Sequence, residues 1–551
     1  MSGHLFPKRT IGSLVDERLA RDGARQALVF EDRRWTFGDL ARDIEAVARG
    51  LVALGVAPGE KVSLWMMNRP EWIVAALAVM RIGAVLVPIN TRFRTADAAY
   101  VLAQSDSSTL IIAARSGPID YLGMVRTLLP TLGSHAEAVS DPKLSALQRV
   151  IVLGDGPAPG TITWSSLLAA GTGVPDDALR FRTAAVDPDA TAFIIYTSGT
   201  TGFPKGVMHS HIMVRNVVER ALRMGITPAD TILMYLPLYH LFGFSEGMLM
   251  SLATGARQVL TETFDPNESL RLLEAERATV LHGFDTHFKD LLEAYRRRPR
   301  NAESVRTGIL ATGMSSSMPI AREARKVFGH LLSGYGMSEV GAGVTLSALE
   351  STDEQCTEAS GYAAPGYEIR IMDPTTGCDQ PVSEPGEILV RGYTVMQGYY
   401  RKPEETANAI DSDGWLHSGD MGLMRPDGHL RFMGRYKDML KIGGENVDPL
   451  EVEAYLASHP AINAAAVVGA PDVRLSEVPV AFVRLEPGQK LTEPEVINYC
   501  HGKIASYKIP RHVFLVDDFP MTGSGKVQKG KLREDARRRL EQAGPNQLQA
   551  S

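Results

Sequence analysis

Ala192-Phe193-Ile194-Ile195-Tyr196 reads as a buried strand. It runs directly into Thr197-Ser198-Gly199-Thr200-Thr201-Gly202-Phe203-Pro204-Lys205-Gly206. No other junction constrains the chain as much. A strand feeding a loop of glycines and hydroxyls lets a backbone close around a phosphate chain. The glycines permit tight turns, the hydroxyls and amides donate hydrogen bonds, and Lys205 adds a positive charge. The loop is not a Walker loop, which needs a glycine five residues after the first, then Lys and Ser or Thr. Pro204 stands at that place. The expected ligand is a nucleoside triphosphate held in another way.

The surroundings suit such a site. Helical and strand patterns alternate ahead of the loop: helix from Arg42 to Leu54, strand from Lys61 to Met66, helix from Glu71 to Ile82, strand from Ala84 to Pro88. This predicts an α/β architecture with covered sheets. Asp155 to Gly160 reads as a surface linker, and the unit resumes at Ala192. A second α/β stretch runs from Asn216 to about Gly334. Short strands with Gly and Pro turns, such as Glu387 to Arg391, predict a small β-barrel-like subdomain. A boundary falls near Arg435. Beyond it, helix Leu450 to Ala457, strands Ala464 to Val468 and Val480 to Leu485, and helix Glu493 to Cys500 make a compact α+β unit. The expected organisation is a large domain over residues 1–435 and a small one over 436–551.

Bulk properties exclude several classes. The 551 residues allow about two to four folding units. A net charge of -6 argues against nucleic acid as the main partner. Cys356, Cys378 and Cys500 are too few and scattered for a disulfide framework or zinc site. The apolar stretch Trp72 to Met80 is too short to span a bilayer. Met1 to Arg9 lacks the apolar core of a signal peptide. A cytoplasmic protein without a transmembrane segment is expected.

Three further motifs complete the pattern: Gly334-Tyr335-Gly336-Met337-Ser338-Glu339; Gly414-Trp415-Leu416-His417-Ser418-Gly419-Asp420 with Gly434-Arg435-Tyr436-Lys437-Asp438; and Pro520-Met521-Thr522-Gly523-Ser524-Gly525-Lys526. An aromatic face offers stacking area to a purine. A lone carboxylate suits magnesium, which prefers one or two carboxylates plus phosphate oxygens and water. An aspartate can accept from both ribose hydroxyls.

With the phosphate loop, these motifs resemble the adenylate-forming superfamily of acyl-CoA synthetases, peptide-synthetase adenylation domains and firefly luciferase. The likeness covers nearly the whole chain, including Trp35 to Leu40 and Asn68 to Trp72. It implies an ATP-dependent acid–thiol ligase that forms acyl-AMP, releases pyrophosphate and passes the acyl group to coenzyme A. The implied acid is medium- or long-chain or otherwise bulky and hydrophobic. An acyl-AMP ligase serving a carrier protein is the alternative; a non-catalytic adenylate sensor is a more distant one. A homodimer is a candidate assembly.

The resemblance also implies roles. Thr197, Ser198, Gly199, Thr200, Thr201, Gly202 and Lys205 would hold phosphates. Gly313, Met314, Tyr335, Gly336 and Phe432 would border the nucleotide, with Ser338 on the α-phosphate. Glu339 would bind Mg2+, and Asp420 and Arg435 the ribose. Lys526 would reach the acid and α-phosphate during adenylation. Lys437 would be the hinge on which a mobile C-terminal domain turns. Lys441 would serve the second half-reaction, with Gly443 and Gly444 beside the pantetheine arm. His240, Phe244, Gly247, His282 and Gly283 would shape the acyl pocket.

Two segments depart from the family. Phe284-Asp285-Thr286 replaces a Val-Pro-Thr-like sequence, and Thr312-Gly313-Met314-Ser315 replaces the usual Gly-Gly-Ala. They raise the expectation of a large or oxygenated acid contacted by Asp285 or His282. For Asp285, the favoured reading is the N-cap of a helix starting at Thr286.

Overall fold

The computed structural model describes residues 7–133, 141–154, 159–197, 204–313, 317–435, 440–447, 449–520, 527 and 529–543. The chain divides into two compact units. One comprises Met1–Thr91, Val101–Tyr196 and Gly206–Tyr436; the other comprises Arg92–Tyr100, Thr197–Lys205 and Lys437–Ser551.

The larger unit is built on two mainly parallel sheets and one antiparallel sheet. In the first, Lys61–Trp65 lies between Val85–Pro88 and Ser107–Ala113, parallel to both. Thr191–Thr197 joins on the Val85–Pro88 side, and Lys205–Ser210 lies beyond it. Every residue of Ser107–Ala113 is buried, as expected for a parallel strand covered on both faces. Helix Phe37–Ala53 starts five residues earlier than the periodicity predicts. Thr36 caps the Asp39 N–H, and the Asp39 carboxylate accepts from the Thr36 N–H in return. Helix Pro70–Arg81 opens with proline at its first turn. Trp72 to Met80 is buried throughout, so this apolar stretch is core rather than membrane anchor. No helix among the described residues is long and apolar enough to cross a membrane.

The second sheet runs in the order His330–Leu332, Thr307–Ile309, Val280–Leu281, Thr231–Met234, Arg257–Leu260, Gln26–Phe30, Arg33–Thr36. Its last two strands come from the start of the chain. Leu28 pairs with Gln258 in parallel, and the hairpin returns through Trp35. The N-terminal stretch read as one α/β unit therefore serves two sheets.

The predicted small β-rich subdomain is a four-stranded antiparallel sheet of Tyr367–Met372, Gly386–Gly392, Leu416–Met424 and Leu430–Arg435. It is open, because its first and last strands do not pair with each other among the described residues. In the smaller unit, Ile462–Asp472 and Ser476–Leu485 form a long hairpin. Helix Glu493–Cys500 lies where the sequence predicts it.

Candidate active site

Loop and turn residues of the larger unit converge where the C-terminal ends of its strands meet the antiparallel sheet. Tyr335 follows strand His330–Leu332, and its hydroxyl donates to Asp420 Oδ2 at 2.8 Å. Asp420 is 3% exposed, and its own N–H donates to Ser418 Oγ at 3.0 Å. The Tyr335 ring lies 5.7 Å from the Phe432 ring at 32°. Phe432 donates its N–H to Ser360 Oγ. Gly313 packs onto the same strand: with φ at 127°, a Cβ there would sit 2.6 Å from the Phe432 carbonyl oxygen. Gly336 has no alternative either, since a Cβ would lie 1.3 Å from the Ala342 carbonyl oxygen. Tyr335, Gly313, Phe432 and Asp420, distant in sequence, are thus brought together, with two aromatic rings beside a carboxylate.

Glu339 sits in a short 3-10 turn, Ser338–Val340. Its Oε1 accepts from the Tyr399 hydroxyl at 3.1 Å, and its carbonyl accepts from the Met396 N–H. Tyr399 pairs with Val207 on the strand Lys205–Ser210. His209 on that strand bonds the Ser338 carbonyl at 2.6 Å. Burial pushes the His209 imidazole down to about 4. Its neutral form therefore donates from Nε2 and fixes the turn. The strand leaving the glycine loop and the carboxylate turn are locked together by these bonds. No three His, Cys, Asp or Glu side chains converge among the described residues. A divalent cation at Glu339 would take most ligands from phosphate oxygens and water, a demand Mg2+ accepts.

Several predicted residues lie outside the described residues: Ser198, Gly199, Thr200, Thr201, Gly202, Met314, Lys437 and Lys526. Thr197 ends its strand, and Lys205 opens the next. Arg435 pairs in register with Asp420 across the antiparallel sheet. In the smaller unit, Lys441 pairs with Asn446, and Gly443 and Gly444 make the turn between.

The segment around His240 is pinned by a residue given no role from sequence. Asn68, 4% exposed, donates from Nδ2 to the Leu236 carbonyl and accepts from the Leu238 N–H, each at 2.9 Å. His240 then stands at the N-cap position of the short helix Leu241–Gly243, its ring 4.7 Å from Tyr239. A π-helical stretch, Phe244–Leu249, follows; such turns often mark functional sites. Phe244 is packed against Phe193 and Trp72. Gly247 lets the stretch press on Met234, whose Cε would be 2.5 Å from a Cβ there. Gly283 bridges to Leu310, with the Tyr235 hydroxyl beside it.

Asp285 is a correction. It is the first residue of helix Asp285–Arg297, and Phe284 holds the cap position. His287 Nδ1 accepts the Phe284 N–H at 3.2 Å, so the cap comes from inside the helix. The expected Asp285 cap fails because the helix begins one residue earlier.

Two mainly parallel sheets with an antiparallel sheet beside them are the build of an adenylate-forming enzyme. The comparisons agree: the chain belongs to the AMP-binding enzyme family, which matches residues 15–400, and its C-terminal domain matches residues 451–526. Among curated relatives, the methyl-dioxo-octahydroindenyl-propanoyl:CoA ligase of Mycobacterium tuberculosis is 36% identical over 96% of this chain and 99% of its own length. The human mitochondrial medium-chain acyl-CoA ligase ACSF2 is 32% identical, covering 98% and 89%. The solved o-succinylbenzoate CoA synthetase of Bacillus subtilis superposes with a TM-score of 0.78 at 27% identity, covering 95% and 98%. The protein is an AMP-forming acid–CoA ligase.

Proposed function

We propose that this ligase activates a bulky, largely hydrophobic carboxylic acid with ATP. A carboxylate oxygen attacks the α-phosphorus, the bond to the β-phosphate oxygen breaks, and pyrophosphate leaves. The CoA thiolate then attacks the acyl carbon, expelling AMP, while the thiol proton passes to a base. The observation carrying this reading is the Tyr335–Asp420 bond beside Phe432, with Glu339 held on the strand that leaves the glycine loop. It offers an aromatic wall, a ribose acceptor and a cation ligand in one place.

The remaining roles follow the resemblance. Lys205 and the loop 197–202 neutralise phosphates. Mg2+ on Glu339 would offset charge on the triphosphate. Lys526 orients the acid against the α-phosphate, and the C-terminal domain beyond Lys437 alternates between half-reactions. Lys441, Gly443 and Gly444 serve the thiol step. The dioxo substrate in the name of the mycobacterial relative and the medium-chain acids of the human one support a bulky acid. Cys356, Cys378 and Cys500 are all free thiols, which suits a reducing, cytoplasmic compartment.

The test is an acid panel with ATP and Mg2+, with and without CoA, read by mass spectrometry. Acyl-CoA from one acid class is expected. Acyl-AMP that CoA does not consume would turn the assignment to a carrier-protein acceptor. Lys526→Ala is expected to lose adenylation at least about a hundredfold while still making thioester from supplied acyl-AMP; normal adenylation would remove that role from Lys526.

A further inference from the structure

A fully buried polar cluster takes no part in the reaction above. Arg220, on helix Met213–Arg223, pairs with Glu246, on the π-helical stretch, at 2.5 Å; both side chains are 1% exposed. Arg220 also donates to the Gly343 carbonyl. Ser245 donates to the same Glu246 oxygen that meets Arg220. His282, at the end of strand Val280–Leu281, is completely buried, and the Phe242 ring meets its edge at 6.1 Å.

The cluster is incompletely satisfied. Both His282 ring nitrogens, Arg220 Nε and Glu246 Oε2 are buried without a hydrogen-bond partner. Buried polar atoms are rarely left so, because each forfeits its hydration. Here both donors and acceptors are vacant on three neighbouring elements: Gly247, next to Glu246, presses on Met234, and the strand of Met234 pairs with Val280–Leu281, which His282 follows. Burial, and secondarily the nearby Arg220 charge, pushes His282 down to about 3, so it is neutral at working pH. Arg220 and Glu246 cancel each other's charge.

We infer that Arg220, Glu246 and His282 recognise an uncharged oxygen function, a ketone or hydroxyl, on the acyl chain of a monocarboxylic acid. A ketone oxygen accepts from the imidazole N–H, which supplies the selective bond, with the Arg220 guanidinium beside it. A hydroxyl also donates to Glu246 Oε2 or the free imidazole nitrogen. A second carboxylate is disfavoured, because it would bring an uncompensated anion against Glu246 in a dry site. A plain hydrocarbon chain would leave the vacant groups unpaired, a mismatch that hydrogen-bonding pockets reject strongly. The inference rests on the acid–CoA ligase reading and names the substrate class of that site.

The experiment compares acids of one carbon skeleton: the unsubstituted acid, keto and hydroxy counterparts with the oxygen at successive chain positions, and the dicarboxylic acid. The intact protein is assayed for acyl-CoA. At the best position, kcat/KM for the keto or hydroxy acid is expected to exceed that of the other two by about tenfold or more. His282→Phe, which keeps the ion pair, should bring the keto-to-plain ratio near one. His282→Asn, which keeps a donor and an acceptor, should retain most of it. The ratio is internal to each variant, so a change in folded fraction does not move it. Plain or dicarboxylic acids used as well as the oxygenated ones by the wild type would overturn the inference, with an ordered water filling the cluster instead. So would a preference that His282→Phe leaves intact. Either result would leave the ligase reading standing, whereas acyl-CoA from no acid at all would sink both.

Discussion

At the residue scale, the site depends on side chains that hold one another. The Tyr335 hydroxyl does two things: it fixes the ring against Phe432 and occupies one oxygen of a nearly buried carboxylate. Tyr335→Phe keeps the aromatic face and removes the bond. Asp420 then loses that donor, at a cost of about 1 kcal/mol. The expected outcome is a several-fold rise in KM for ATP with little change in KM for the acid, and a lowered unfolding midpoint. An unchanged KM for ATP would show that the carboxylate is positioned from elsewhere. Gly336 shows that sequence motifs can have steric causes as plain as chemical ones: the Ala342 carbonyl occupies the space a side chain would need.

At the scale of elements, the segment proposed to border the acid is held by a distant asparagine. Asn68 lies just before the proline that opens helix Pro70–Arg81, and its amide satisfies the backbone on both sides of Pro237. Asn68→Ala would strand two buried backbone groups, costing about 2 kcal/mol, and free the segment leading to His240. KM for the acid is expected to rise more than KM for ATP. Equal effects on both would mean general loosening of the fold. This role could not be read from the chain, because Asn68 and Leu236 lie 168 positions apart. The helix at Asp285 illustrates the opposite limit. A helix is expected there from the acidic residue ahead of Thr286, but it begins at Asp285 itself. A histidine one turn in caps the backbone, so the acidic residue is not needed there.

At the scale of the whole molecule, three buried histidines couple stability to pH. His209 and His211 are held down to about 4 and His282 to about 3, in each case chiefly by burial. Their unfolded values lie near 6.5. The unfolded chain therefore binds protons first as pH falls. Stability from these groups is complete above about pH 6.5 and declines toward pH 4, by about 1.4 kcal/mol per pH unit for each histidine fully engaged. The urea midpoint is expected to drop clearly between pH 7 and pH 5; a flat profile would mean these imidazoles are charged and accommodated in the fold.

Local patterning sufficed for the α/β class, the strand before the glycine loop and helix Glu493–Cys500. Period, caps and loop chemistry are properties of neighbours in the chain, so they survive in one dimension. Tertiary structure alone decided which sheet each strand joins and which side chains meet. Residues 28–30 pair with a strand more than two hundred positions away. Arg220, Glu246 and His282 come from three separate elements. Such pairings are chosen by the burial of whole faces and by packing between distant segments, terms that no local window of residues contains.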